Sequence, residues 1–520
     1  MQDALREGRG RGLRILSGGG AVVPTATPFF HQAILNFSLS SFGFWALDIL
    51  LLLAIAGVVV ALATDDREPS IVLAWLFVIL LIPVLGLVAY FFIGRNFRRD
   101  SPGRARILRR MDEVAGKTLA PVMAANTEFS KAAVAGLAGT AGQRIEATGH
   151  TEDGAVPLPA DTVDVFYTGA EKFPALLEDM GKAQRYIHLM YLIWKQDELT
   201  AKVTDVLLDR LAAGVEVHIL YDWLSCITYK KDELKRLAKA GATVAPCYKR
   251  LPRINYRNHM KMAIVDGETV YSGGMNMGQE YIDGGPRFDV WRDTHFRMTG
   301  PVVAPYLMLY AATWLLNGGK EDLASAYMPP PAEHGRGDGV PVQVLHSSVG
   351  TTFKTIRDVF ITALGNARQR VWVQSPYFVP DEPLMTALCT AAASGVDVRF
   401  MMTGVPDKKI PFYAAQAYYP QLLRAGVRVY QYKAGFLHAK TVTVDDQLAI
   451  IGTCNWDIRS IILHDEVVSV FYDEGIARQA AEHYARDIES CVEVTPEEIE
   501  SLSRRIRFRN SVYRLFSRLL

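Results

Sequence analysis

The sequence lacks any dominant sign of charge. Its 56 Lys and Arg residues stand against 55 Asp and Glu, a formal net charge of +1 over 520 residues. A chain this neutral has no global field to attract nucleic acid, so that class of partner is set aside. Cysteine is scarce too. Cys226, Cys247, Cys389, Cys454 and Cys491 are scattered and form no CxxC pair. That argues against a disulfide framework or a zinc site and fits a reducing compartment. No acidic cluster is offered for Mg²⁺ and no ligand set for Zn²⁺, so no cofactor is expected. Length is not lacking: the chain is long enough for more than one domain and a large core.

Long hydrophobic runs are present, near the N-terminus. Ile71 to Ile93 carries no charged residue. At about 1.5 Å per residue it is long enough to cross a bilayer core of ~30 Å. Pro83 and Gly86 lie inside it, as membrane helices tolerate. Phe42 to Ala63 is apolar apart from Asp48, and TDDREPS (Thr64 to Ser70) joins the two runs. Two long runs flanking a tight turn predict a transmembrane hairpin over 42–99, against a signal peptide or a buried globular hairpin. Arg6, Arg9, Arg11 and Arg14 precede it. Arg95, Arg98, Arg99, Arg104, Arg106, Arg109 and Arg110 follow it, whereas the turn holds only Arg67. Both ends are therefore expected in the cytoplasm. Residues 1–41 are Gly-rich and take no assignment. Residues 100–161 read as a basic juxtamembrane linker lying against anionic head groups.

From Thr162 onward strands and helices alternate. RYIHLMYLIW (Arg185 to Trp194) and VEVHILYD (Val215 to Asp222) read as strands, each followed by a helix, the helices ending at Gly214 and Gly241. The order returns with RVWVQSPYF (Arg370 to Phe378) and VDVRFMM (Val396 to Met402), with helices ending at Gly395 and Gly426. Between the two series lies the Pro/Gly-rich stretch Met328 to Pro341. The expectation is an α/β fold in which one unit is used twice, over 162–327 and 342–520 with a linker at 328–341.

A polar motif repeats with the fold. NHMKMAIVDGETVYSGGMN places His259, Lys261, Asp266, Gly273 and Asn276. LHAKTVTVDDQLAIIGTCN places His438, Lys440, Asp445, Gly452 and Asn455 at identical internal spacings, 179 residues later. One copy alone would read as a structural histidine. Two copies in register with a fold repeat do not. On a strand, each histidine and its lysine project from one face. A pseudo-twofold would point two imidazoles and two ammonium groups into one cleft, with asparagine amides beside them. That cleft suits a phosphodiester: lysine and asparagine hold the equatorial oxygens, and the histidines lie on the line of displacement.

The duplicated pattern HxK, four residues, Asp, six residues, GxxN resembles the signature of the phospholipase D superfamily. The resemblance covers both halves from about Thr162 onward. WRDTHFRMTGP, SPYFVPDEPL, NWDIRSIILHDE and the apolar N-terminal runs make the chain similar to the bacterial cardiolipin synthases within it. Thr453 stands where serine is usual, and Trp456 where a smaller apolar residue is common; both bear on pocket shape. The resemblance implies two tandem α/β/α domains with pseudo-twofold symmetry behind the anchor, and two-step transfer through a phosphohistidine. It implies His259 as nucleophile and His438 as general acid and then base, though near-symmetry leaves the reverse order open. It also implies a carboxylate some thirty residues beyond each histidine, here Asp293 and Glu466, to hold the imidazole as an N–H donor. Asp266 and Asp445 end short apolar strands and are expected to buttress the site. The implied substrate is phosphatidylglycerol, as donor and acceptor, met at the cytoplasmic face of a bacterial inner membrane. Hydrolysis by the same site, as a phospholipase D-type phosphodiesterase or a membrane-bound nuclease, is the alternative; a non-catalytic membrane scaffold fits two intact motifs poorly.

The last residues, RRIRFRNSVYRLFSRLL, put Phe508, Val512, Leu515 and Leu519 on one helical face and Arg507, Arg514 and Arg518 on another. Such a helix either lies in an anionic membrane surface or packs on the domain.

Overall fold

The computed structural model describes residues 29–64, 69–94, 102–249, 256–320, 323–328, 339–348 and 350–517. Most of the unassigned N-terminal segment, the centre of the TDDREPS turn and most of the 328–341 linker lie outside these residues. The chain divides into two units, Met1–Tyr90 and Phe91–Leu520.

In the first unit a helix spans Phe29–Ala63, and its Trp45–Ala63 portion is long and apolar enough to cross a membrane. The second apolar run does not form the single helix expected of it. It is helical over Pro69–Leu81, breaks at Ile82 (φ −136°, ψ 72°), and resumes over Pro83–Ala89. Pro83 explains the break: it has no N–H to continue the ladder, and its ring drives the preceding residue out of helical geometry. A side chain at Gly86 would put its Cβ 2.8 Å from Ile79 Cα, so only glycine permits this approach. One membrane-length helix, not two, is thus present among the described residues.

The second unit contains the repeat. Its first sheet runs, in spatial order, Thr162–Phe166, His295–Thr299, Thr269–Gly273, Met262–Val265, Tyr186–Tyr191, Glu216–Asp222 and Thr243–Cys247. The corresponding strands of the second sheet run Val340–Ser347, Glu466–Phe471, Leu448–Gly452, Thr441–Val444, Arg370–Gln374, Asp397–Thr403 and Arg428–Tyr432. The order is the same, strand for strand, which gives the pseudo-twofold. Gly214, Gly241, Gly395 and Gly426 end their helices with φ of 89°, 111°, 98° and 91°, a left-handed geometry that glycine adopts without strain.

Residues 100–161 carry more structure than a linker. They form helices Pro102–Ala125, Thr127–Gly136 and Ala141–Asp153 and the strand Leu158–Ala160, which pairs antiparallel with Val340–Ser347 of the second sheet. Sequence reasoning missed this because arginines dominate the start of the first helix. Its apolar stripe, Met111, Val114, Ala115, Leu119 and Val122, recurs at helical spacing only beyond them. The helix Val303–Leu316 lies between the halves, and its Tyr306 hydroxyl is 2.7 Å from Ser469 Oγ of the second sheet.

The C-terminal helix Arg504–Ser517 packs on the domain through its polar side. Asn510 donates to Gln416 (3.1 Å) and the Arg509 guanidinium covers the Tyr413 ring at 3.7 Å. Phe508 and Leu515 are left 73% and 69% exposed, so the face that reads as membrane-seeking is the outward one. Arg518 and Leu519 lie outside the described residues.

Candidate active site

Each HxK stretch leads into a short buried strand, Met262–Val265 or Thr441–Val444. Alternation along the strand turns His259 and Lys261 to one side, and His438 and Lys440 likewise. All four side chains are buried. Lys261 donates to its own half's His259 carbonyl at 2.5 Å, and Lys440 donates to the His438 carbonyl.

The carboxylates pair across the halves. His259 Nδ1 lies 2.8 and 3.0 Å from the two oxygens of Glu466, and His438 Nδ1 lies 2.7 Å from Asp293 Oδ2. Counting along the chain places each acid with the histidine of its own motif, Asp293 with His259 and Glu466 with His438. The structure crosses them. The cause is backbone pairing between the halves. The His259 N–H donates to the Asp465 carbonyl (2.9 Å), and the His438 N–H donates to the Arg292 carbonyl (2.7 Å). Each histidine is thereby registered against the residue before the other half's acid. Trp291–Arg292 runs parallel to Phe436–Leu437, and Asn258 bridges Asp465 in the same sense.

Asn276 and Asn455 are both buried at the site. Asn276 is fixed by donating to the Tyr281 hydroxyl (2.9 Å) and accepting from the Ile193 N–H (3.1 Å). The structure does not bring Asp266 and Asp445 to the same place. Asp266 accepts the backbone N–H groups of Gln184, Arg185 and Tyr186 at 2.8, 2.8 and 2.9 Å. Asp445 does the same for Arg368, Gln369 and Arg370 at 2.7, 2.8 and 2.9 Å. Both adopt positive φ, 54° and 50°, at the far ends of the HxK strands. They tie those strands to the neighbouring ones through backbone N–H groups, as buttresses of the set.

The glycine after Gly273 has a specific task. A Cβ at Gly274 would stand 2.0 Å from Asp293 Oδ1. Gly274→Ala is therefore expected to displace the acid that holds His438 and to lower kcat by about tenfold or more, while melting shifts only by the amount expected of overpacking. Measuring kcat and Tm together checks this; unchanged kcat would show that Asp293 relaxes freely. The equivalent position in the second half is Thr453, whose hydroxyl donates to Glu466 Oε2. Thr453 thus anchors an acid. Trp456 is buried in the second half's core, stacked 5.0 Å from Phe360.

Electrostatics follow from burial. Desolvation, then the Lys261 and Lys440 charges, hold the His259 imidazole well below its usual range. Burial and Lys440 bring His438 down to about 4, against the pull of Asp293. Both rings are neutral at pH 7, with Nδ1 engaged and the other nitrogen free. Burial also lowers Lys261 to about 7, opposed first by Glu466, and Lys440 to about 8, opposed first by Asp293. A lowered lysine keeps its charge below the folded-state pKa and loses it above. With a phosphodiester, whose single charge is constant here, kcat/KM should fall as pH rises through about 7 to 8. A flat kcat/KM profile up to pH ~10 would count against lysine-borne charge.

Three residues escaped sequence reasoning. Lys172 is fully buried on the helix Gly169–Lys182, its ammonium 3.4 Å from the Tyr191 hydroxyl and within the field of Asp293. A lysine on the apolar side of an amphipathic helix was the available signal. Tyr281 positions Asn276, and nothing in its sequence context marks it. His464 sits two residues before Glu466, its ring 5.5 Å from that of His259. The expectation that no ligand set exists for a metal needs correcting in this respect: His259, His464 and Glu466 offer ligand atoms within 4.8 Å of one another.

Comparisons with known proteins place the chain in a family. The family described as "Cardiolipin synthase, PLD-like domain" matches residues 176–284 and 360–488, and "Phospholipase_D-nuclease N-terminal" matches residues 46–95. "Cardiolipin synthase 2" of Bacillus anthracis is 34% identical over 462 residues, covering 88% of each chain. "Major cardiolipin synthase ClsA" of Bacillus subtilis (strain 168) is 34% identical over 482 residues, 91% of this chain and 98% of the relative. The crystal structure of phosphatidylserine synthase from Haemophilus influenzae Rd KW20 superposes with a TM-score of 0.56 at 15% identity, over 73% of this chain and 99% of that one, which speaks for the fold alone. With two interlocked HxK halves and relatives of this extent, the chain belongs to the cardiolipin synthases of the phospholipase D superfamily.

Proposed function

We propose that the protein joins two phosphatidylglycerol molecules into cardiolipin, releasing glycerol, through a phosphohistidine. The crossed pairing of each neutral histidine with the other half's carboxylate supports this most directly. The free nitrogen of His259 attacks phosphorus while Glu466 accepts its Nδ1–H. His438, once protonated, gives that proton to the departing glycerol oxygen. The phosphodiester's negative charge between Lys261 and Lys440 favours loading that proton. In the second step His438 takes the proton from the glycerol hydroxyl of a second phosphatidylglycerol. That oxygen attacks phosphorus, and the bond to His259 breaks. Incubating the protein with phosphatidylglycerol and resolving the products tests this. Cardiolipin with equimolar glycerol is expected; phosphatidic acid alone would favour hydrolysis.

The Trp45–Ala63 helix supports membrane attachment, and the arginine-rich stretch following the apolar runs supports a catalytic unit in the bacterial cytoplasm beside anionic lipid. Cysteines placed at Asp66 and at Glu382 test orientation in intact cells. External reagent should label the first and spare the second. Labelling at Glu382 would reverse the assignment.

A further inference from the structure

Behind the wall that carries His259 and Glu466 lies a cavity of about 310 Å³. The wall is one layer of backbone: the His259 N–H donates to the Asp465 carbonyl and the Asp465 N–H to the Arg257 carbonyl, both at 2.9 Å. Side chains alternate along such segments, so His259 and Glu466 face the phosphate site while Met260 and Asp465 line the cavity. One flank of the cavity is the helix Pro102–Ala125, which follows the apolar N-terminal runs in sequence, and the other is Val303–Leu316. Its body is apolar, formed by Met111, Leu119, Met308, Leu309, Leu316 and Val344. Its polar groups are few and already engaged: His346 Nδ1 is 3.1 Å from Asp153, and Asp465 accepts from the Tyr248 hydroxyl.

We infer that this cavity receives an acyl chain of the phospholipid whose phosphate stands at His259. The inference rests on the reading of the site as lipid-specific and adds where the lipid's tail goes. The volume is at the lower end for ligand pockets, and a mostly apolar lining of this kind suits hydrocarbon better than a polar ligand. The carboxylates of Asp153 and Asp465 disfavour a second phosphate there, so the occupant is a tail and not a head group. Methionines on both flanks adapt to chains of different length. Because the wall is a single backbone layer, a glycerol backbone crossing its edge connects phosphate and tail.

Two measurements test this on the full chain in lipid. First, phosphatidylglycerol carrying a mid-chain diazirine is photolysed with the wild-type protein and the adducts are mapped. Label on peptides from Pro102–Ala125 or Val303–Leu316, competed by unlabelled long-chain phosphatidylglycerol, is expected. Label confined to the apolar N-terminal runs and the C-terminal helix would overturn the inference. Second, Ala115→Trp and Ala312→Trp, which place bulk in the cavity away from the catalytic groups, are compared on dioleoyl and dihexanoyl phosphatidylglycerol. The long-to-short ratio of kcat/KM should fall about tenfold or more. An unchanged ratio would overturn the inference. If wild-type protein makes no cardiolipin from either lipid, the substrate reading fails, and the photolabel still decides on its own whether a tail occupies the cavity.

Discussion

His259→Ala should lower cardiolipin formation by roughly 10⁴-fold or more and leave no phosphorylated protein under any condition. In the proposed mechanism the free imidazole nitrogen it removes is the atom that bonds to phosphorus, while His438, the other neutral and oriented imidazole, carries the proton. His438→Ala should cost a similar factor with natural lipid, because attack and leaving-group protonation act as a unit and their losses do not add. The two variants separate with an analogue whose leaving group needs no proton. His438→Ala should then form the phosphohistidine and stall, for the acceptor hydroxyl has no base. Mass spectrometry of peptides, under conditions that preserve phosphoramidates, reads the difference. Label on His438 in the His259→Ala protein would reverse the two roles. Absence of label on either histidine in active wild-type enzyme would remove the covalent step.

The crossed carboxylates give the second large effect. Glu466→Gln should impair the nucleophile, and Asp293→Asn the acid, although each lies in the same half as the other histidine. A loss on the order of 10²–10⁴-fold is expected for each, since the amide leaves the ring in place but favours the wrong tautomer. The activated analogue again discriminates. Asp293→Asn should recover phosphoenzyme formation with it and remain slow in turnover, whereas Glu466→Gln should stay slow in both steps. The opposite pattern would mean that the pairing follows the chain and not the geometry of 2.7–3.0 Å seen between Nδ1 and the carboxylates. Both variants retain hydrogen-bonding side chains of the same size, so Tm should change little compared with activity.

The duplicated motif made much of this legible. Identical spacing of His259, Lys261, Gly273 and Asn276 with His438, Lys440, Gly452 and Asn455 fixes a two-fold α/β arrangement, and helix-ending glycines locate its turns. Spacing along a strand also says which side chains share a face, so the lysines could be placed with the histidines. It does not say how one sheet docks on the other. That depends on the pairing of the Arg257–His259 segment with the His464–Glu466 segment, a contact between residues about two hundred positions apart with no local signature. The same limit hid Thr453 as the partner of Glu466 and Tyr281 as the partner of Asn276. The apolar run Ile71 to Ile93 failed for a different reason. Pro83 is plain in the sequence and reads as tolerated within a membrane helix, but its local steric effect breaks the helix at Ile82.

The exchange of acids between halves has a consequence for synthesis. The N-terminal half leaves the ribosome first, carrying His259 and Lys261 but not Glu466. Its imidazole has no orienting partner, and the Lys261 charge has no Lys440 beside it. On the proposed mechanism the half-made chain is therefore chemically silent. Phosphodiester chemistry begins only when the last strand of the second sheet to carry a site residue, Glu466–Phe471, has been made and docked. A chain interrupted before that point could attach to lipid without cutting it, so the geometry that doubles the site also delays its onset until the fold is complete.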